Sequence, residues 1–197
     1  VVAVSGALAA LSAACAQQAH AEEAAQLAVG SPNYYGGFGT TWMWADGEVA
    51  YCANPSASTP SAGTYSKSSI DAPSGRSAET VANLWFSYGS PGFDASLWPD
   101  TWYDGSAMSD AHYAALAHIL VSDTYTSDGS YALYGCNAAF KSWCKREVIG
   151  FGDSGQVINE NATGRKICQR MGEVPGNFHA FQLYTGSSTQ LKTLDRK

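Results

Sequence analysis

The sequence predicts an α+β domain: a β-sandwich or barrel-like unit built from both chain ends, with a helical insertion over about residues 77–150. Three observations carry this reading. Aromatic and Thr-rich alternation around an Asp-Gly turn marks β structure near the start of the chain, over 40–52. Segments within 77–149 place apolar residues at helical spacing. A second strand-like run, "NFHAFQLYTG", follows at 177–186. Strands, then helices, then strands describe a helical unit inserted into a β unit whose two halves pair in space.

In chain order, residues 1–21 hold an apolar run closed by Ala19-His20-Ala21, a small-x-small cleavage pattern. This reads as an export signal truncated at its start, with the mature domain over 22–197. The apolar run is short for a membrane span, so no membrane insertion of the mature domain is expected. "TTWMWADGEVAYC" reads as a hairpin, Thr40–Trp44 and Glu48–Cys52, joined through Asp46-Gly47. Residues 53–76 read as loop from their Pro, Ser and Gly content. Ser77 caps "AETVANLWFSYG", and 90–107 reads as an aromatic loop. Ser109-Asp110 starts a helix through Tyr125, with Tyr113, Leu116, Ile119 and Leu120 as its apolar stripe. Asn137 caps a third helix running to Ile149, after which turns are expected until the strand at 177–186 and a further one in "TQLKTL".

Charged residues make up only 14% of the chain and hydrophobic ones 45%, which argues against disorder. A net charge of −6 without a Lys/Arg cluster argues against nucleic acid and anionic membranes as partners. His112 and His118 are six residues apart and share no clean helix face, and "SDTYTSDGS" fails calcium-loop spacing. No metal or other cofactor is expected.

Four cysteines follow the leader: Cys52, Cys136, Cys144 and Cys168. An exported chain usually pairs its thiols. Cys136 and Cys144 lie about 12 Å apart along a helix, too far to bridge. Cys168 is then expected to pair with one of them; Cys144–Cys168 is preferred and Cys136–Cys168 stays open. Cys52 is left without a clear partner, and a free buried thiol is the plain structural alternative.

"VAYCANP" (49–55) is similar to the Cys signature of bacterial surface thioester domains, and "HAFQLYTG" (179–186) is similar to their Gln-bearing strand. Between them stands a helix, "HYAALAHILVSD", following an aromatic loop, and the resemblance covers roughly 30–195. One feature departs: where the family carries Thr-Gln on a helix, the matching pair here is Ala117-His118. The resemblance implies a Gram-positive cell-surface adhesin domain in which Cys52 and Gln182 form an internal thioester, with His118 as a candidate assisting residue. The chemistry needs those two residue types. A cysteine thiolate attacks the glutamine carboxamide, and ammonia leaves. A primary amine, such as a host-protein lysine, then takes the acyl group as an isopeptide bond. The resemblance thus implies a single-turnover covalent binder and not an enzyme. It also implies a monomeric domain within a longer protein anchored to the cell wall.

Two rivals remain. Cys52 could serve a secreted hydrolase with His112, His118 or His179 as base, although no helix start lies beside it to activate the thiol. Alternatively, "NLWFSYGSPGFDASLWPDTWYDG" could stack against sugars in a carbohydrate-binding module.

Overall fold

A computed structural model describes residues 23–70, 77–125, 132–184 and 190–196. The expected leader, 1–21, lies outside the described residues. Six strands form one closed antiparallel barrel: β1 (Glu23–Tyr35), β2 (Phe38–Ala45), β3 (Glu48–Cys52), β4 (Gly63–Ser69), β5 (Phe178–Tyr184) and β6 (Gln190–Arg196). Their order around the barrel is β1-β2-β3-β6-β5-β4, with β4 closing back on β1. Between β4 and β5 the described residues form four α-helices: α1 (Ser77–Trp85), α2 (Asp110–Tyr125), α3 (Ala138–Trp143) and α4 (Thr163–Gln169). The class is α+β.

The first two hairpins follow directly from turn chemistry. Asp46 and Gly47 both adopt positive φ (51° and 88°), the requirement of a two-residue turn that matches strand twist. Gly36-Gly37 makes the β1–β2 turn the same way. Gly37 is obligatory for a second reason: a Cβ there would sit 2.5 Å from the Gly135 carbonyl oxygen. That hairpin tip is thereby pressed against the helical unit, and the Asn137 amide donates to the Gly36 carbonyl at 2.6 Å.

β4 corrects the expectation of loop over 53–76. "GTYSKSS" has neither strong alternation nor many apolar residues, yet it pairs with β1 on one side and β5 on the other. Tertiary pairing overrides a weak local preference. α4 corrects the expectation of turns after Gly150, and it extends the helical unit past that position. α1 ends at Trp85, shorter than its apolar spacing suggests, because the chain turns through Ser87 and Tyr88 to Gly89 at φ 86°.

Side-chain alternation sorts the barrel into two environments. Ala25, Leu27, Met43, Ala45, Ala50, Cys52, Phe181 and Leu183 fill its interior. On the outside, Phe38, Tyr51, Ile70 and Ala180 join the core of the helical unit, with Leu84, Trp98, Leu116, Ile119 and Phe140. α2 lies in the middle of this second core. The Ser109 hydroxyl accepts from the His112 amide at 3.3 Å and caps its start. Ala114, Ala115 and Ala117 let neighbours approach closely, so residues 114–122 are buried on every side. Asn137 caps α3 by accepting from the Phe140 amide at 2.9 Å, and α3 loosens into a π-helical turn over Cys144–Ile149 that ends at left-handed Gly150. No described helix is long and apolar enough to cross a membrane.

Candidate functional site

Cys52 is the last residue of β3 and is buried. Its thiol donates to the Asn54 carbonyl at 3.2 Å and lies in the barrel interior with Phe181 and Leu183. Burial raises its pKa, against a weaker lowering by the Asn54 contact, so the group is a protonated thiol at neutral pH.

Gln182, on β5, is buried as well. The Tyr125 hydroxyl donates to its Oε1 at 3.0 Å, and its Nε2 donates to Ser68 Oγ at 3.3 Å. Ser68 is its cross-strand partner on β4.

β6 runs between these two residues. Cys52 faces Leu191 on one flank of β6, and Gln182 faces Lys192 on the other. One register step and two strand spacings, about 10 Å of backbone, therefore divide them. Their side chains leave opposite faces of the sheet. The thiol points into the barrel with Phe181 and Leu183, while alternation turns Gln182 out toward α2.

α2 reaches Gln182 and the backbone beside Cys52 through a polar seam, His118, Ser122 and Tyr125, spaced about one turn apart on one face. His118 is 4% exposed; its Nδ1 lies 2.8 Å from Thr40 Oγ1, and the rings of Phe38 and Tyr51 meet it edge-on. Burial pulls its pKa down to about 4, opposed more weakly by the backbone of Cys52. The imidazole is thus neutral. Its Nε2 makes no hydrogen bond among the described residues. A cavity of about 10 Å³ beside it, lined by Thr40, Tyr51 and Ala114, has roughly room for one water. One turn on, the Ser122 hydroxyl donates to the Ala53 carbonyl at 3.0 Å. At the end of the seam stands Tyr125, on Gln182.

Of the residues singled out from the sequence, His118 lies on α2 and Gln182 meets it, whereas the Cys52 thiol lies across the sheet in the barrel interior. The expected Cys144–Cys168 disulfide is not made: Cys52, Cys136, Cys144 and Cys168 are all free. Cys144 is sealed in the core, whereas Cys168 is half-buried on α4 and opens onto a separate cavity of about 620 Å³. Neither helical histidine of the hydrolase reading is placed on the thiol. His118 addresses the backbone of Cys52 and not its thiol, and His112 stacks on Trp102 with ring centroids 4.1 Å apart. The aromatic loop is no sugar platform, because Trp98 and Trp102 are 1% and 3% exposed and form core. Among the described residues, no cluster of three or more His, Cys, Asp or Glu could hold a metal.

Sequence reasoning missed Tyr125, Ser122 and Ser68. The first two carried a signal: polar residues at 118, 122 and 125 line one face of a helix that is otherwise largely apolar.

These features define a class: an antiparallel β-barrel domain with a helical unit, in which a cysteine is buried inside the barrel and a glutamine is buried on the face that meets the central helix. A family model described as "Thioester domain" matches residues 24–150, and the chain belongs to that family. The matched stretch contains Cys52, His118 and Tyr125; Gln182 lies beyond it. Comparisons with curated proteins and with solved structures found no match.

Proposed function

We propose that Cys52 and Gln182 form an internal thioester and that the domain uses it once, to bind a partner covalently through a primary amine. Membership of the thioester domain family supports the chemistry. The observation that carries the residue assignment is the seam on α2. One rigid, buried helix holds the carbonyl of Ala53, next to Cys52, through Ser122 and the carboxamide of Gln182 through Tyr125. Holding the carboxamide and the backbone next to the cysteine on one element supplies part of the proximity that an amide attacked by a thiol requires.

Bond formation requires the thiol to leave its contact with Asn54 and cross from the barrel interior to the α2 face. Cys52 is suited to this movement, since it ends β3 and the chain bends immediately after it. His118 assists by position: neutral and buried, it packs against the backbone that must turn. The burial that keeps the thiol protonated also keeps water from the finished bond.

The biological reading is an adhesin domain on a bacterial cell surface, with a host-protein lysine as the amine. A covalent bond suits that role, since non-covalent affinity saturates near −18 to −21 kcal/mol and still dissociates. The signal over 1–21 and wall anchoring of a longer, monomeric protein belong to the same proposal.

Intact mass is the test. The purified domain is expected to weigh one ammonia less than its sequence and to gain one methylamine on incubation with that amine, with one thiol becoming alkylatable. Cys52→Ala and Gln182→Ala are each expected to abolish both changes. A native mass equal to the plain sequence would remove the thioester reading.

A further inference from the structure

We infer that Tyr125 is a catalytic residue of this chemistry, donating its hydroxyl proton to the oxygen that becomes the oxyanion. The inference rests on the Cys52–Gln182 reading above and adds a group that neither the sequence motifs nor the family match singles out.

The geometry is direct. Tyr125 Oη lies 3.0 Å from Gln182 Oε1, within the range for a donor placed on a reacting oxygen. Tyr125 closes α2, whose preceding three turns are locked in the core, so its ring is presented by a rigid element. The other end of the carboxamide is addressed separately, with Nε2 donating to Ser68 Oγ. Oxygen and nitrogen are thereby distinguished, and the carboxamide is held with its carbonyl toward the phenol.

Both reactions pass through the same oxygen. In forming the thioester, the Cys52 sulfur adds to Gln182 Cδ and the carbonyl π pair moves onto Oε1, where the Tyr125 hydroxyl meets it. Collapse restores the carbonyl and breaks the Cδ–Nε2 bond. Nε2 leaves as ammonia, carrying the proton that began on the thiol. In aminolysis an amine nitrogen adds to Cδ, Oε1 again takes the electron pair, and the Cδ–Sγ bond breaks. Cys52 departs as a thiolate and takes a proton released by the amine. Tyr125 returns unchanged each time, as expected of a donor preorganised for developing charge. The Ser68 hydroxyl, as acceptor for Nε2–H, orients the leaving group and is a positioning residue.

The experiment compares the native domain with Tyr125→Phe, which removes one oxygen and keeps the ring. Methylamine incorporation into thioester-bearing protein is followed by intact mass, with a thermal melt of each protein beside it. Loss of one oxyanion donor typically slows reaction on the order of 10²-fold. We expect that slowing, with a melting temperature near native; a folded variant that never loses ammonia counts the same way. Equal rates in native and variant overturn the role of Tyr125 while leaving the thioester standing. A native protein without the ammonia deficit overturns both. Should Tyr125→Phe not fold, 3,5-difluorotyrosine at position 125 preserves the shape and strengthens the donor. It is then expected to speed aminolysis, and an unchanged rate overturns the inference.

Discussion

His118 shows what one buried residue does to the acid response of the fold. Its pKa is about 4 in the folded chain against 6.5 as the ordinary value. Between these, the unfolded chain binds a proton that the folded chain refuses. Stability is therefore unaffected by this group above about pH 6.5 and falls as pH drops toward 4, by about 3 kcal/mol over the full gap. His118→Asn is expected to lose less stability than the native domain between pH 7 and pH 4.5, measured by urea unfolding. Identical pH slopes would show that the imidazole is not held neutral. The same residue also shows how far a sequence can be read. Its place on a helix was legible from the apolar spacing around it; its burial was not, because His118 lies opposite the stripe of Tyr113, Leu116, Ile119 and Leu120, and only tertiary packing covers that face. Its partner Thr40 was not, because 78 residues separate them and only barrel closure brings them to 2.8 Å. The place of Gln182 on a strand was legible from "FQLY", whereas Ser68, which receives its amide, sits in a polar stretch with no distinguishing pattern.

Elements were legible where local chemistry and tertiary need agree. The β2–β3 hairpin follows from Asp46-Gly47, and α2 follows from Ser109 and its apolar stripe. β4 and α4 were not legible because their stability comes from neighbours. β4 is a polar run held by two ladders, and α4 is a short helix with no side-chain cap at Ala162. α3 lies between these cases, since its cap is explicit but its end runs into a π turn. Asn137→Ala removes the acceptor for the Phe140 amide and is expected to cost about 1 kcal/mol, seen as a lower urea midpoint with unchanged slope. An unchanged midpoint would mean that packing of Phe140, which is fully buried, sets the start of this helix without help from its cap.

For the whole molecule, the proposed bond closes a loop of roughly 130 residues between positions 52 and 182, spanning every helix and β4. Cross-linking a loop of that length restricts the unfolded chain by about 5 kcal/mol in the entropic account. The bonded domain is therefore expected to melt well above Cys52→Ala, and methylamine treatment should bring it down to that variant's melting temperature. Coincident melts before and after treatment would place any bond outside this loop. β6 has a further consequence, a mechanical one. It lies antiparallel against β5, with Gln182 opposite Lys192 and Phe178 opposite Arg196. A partner fixed at Gln182 and a pull applied at Arg196 would drag the two strands lengthwise past each other. The ladder from Phe178 to Gln182 would then carry the load all at once, in shear, instead of opening one pair at a time like a zip. On this geometry, tension between a captured partner and the far end of β6 is borne by the β5–β6 ladder as a unit.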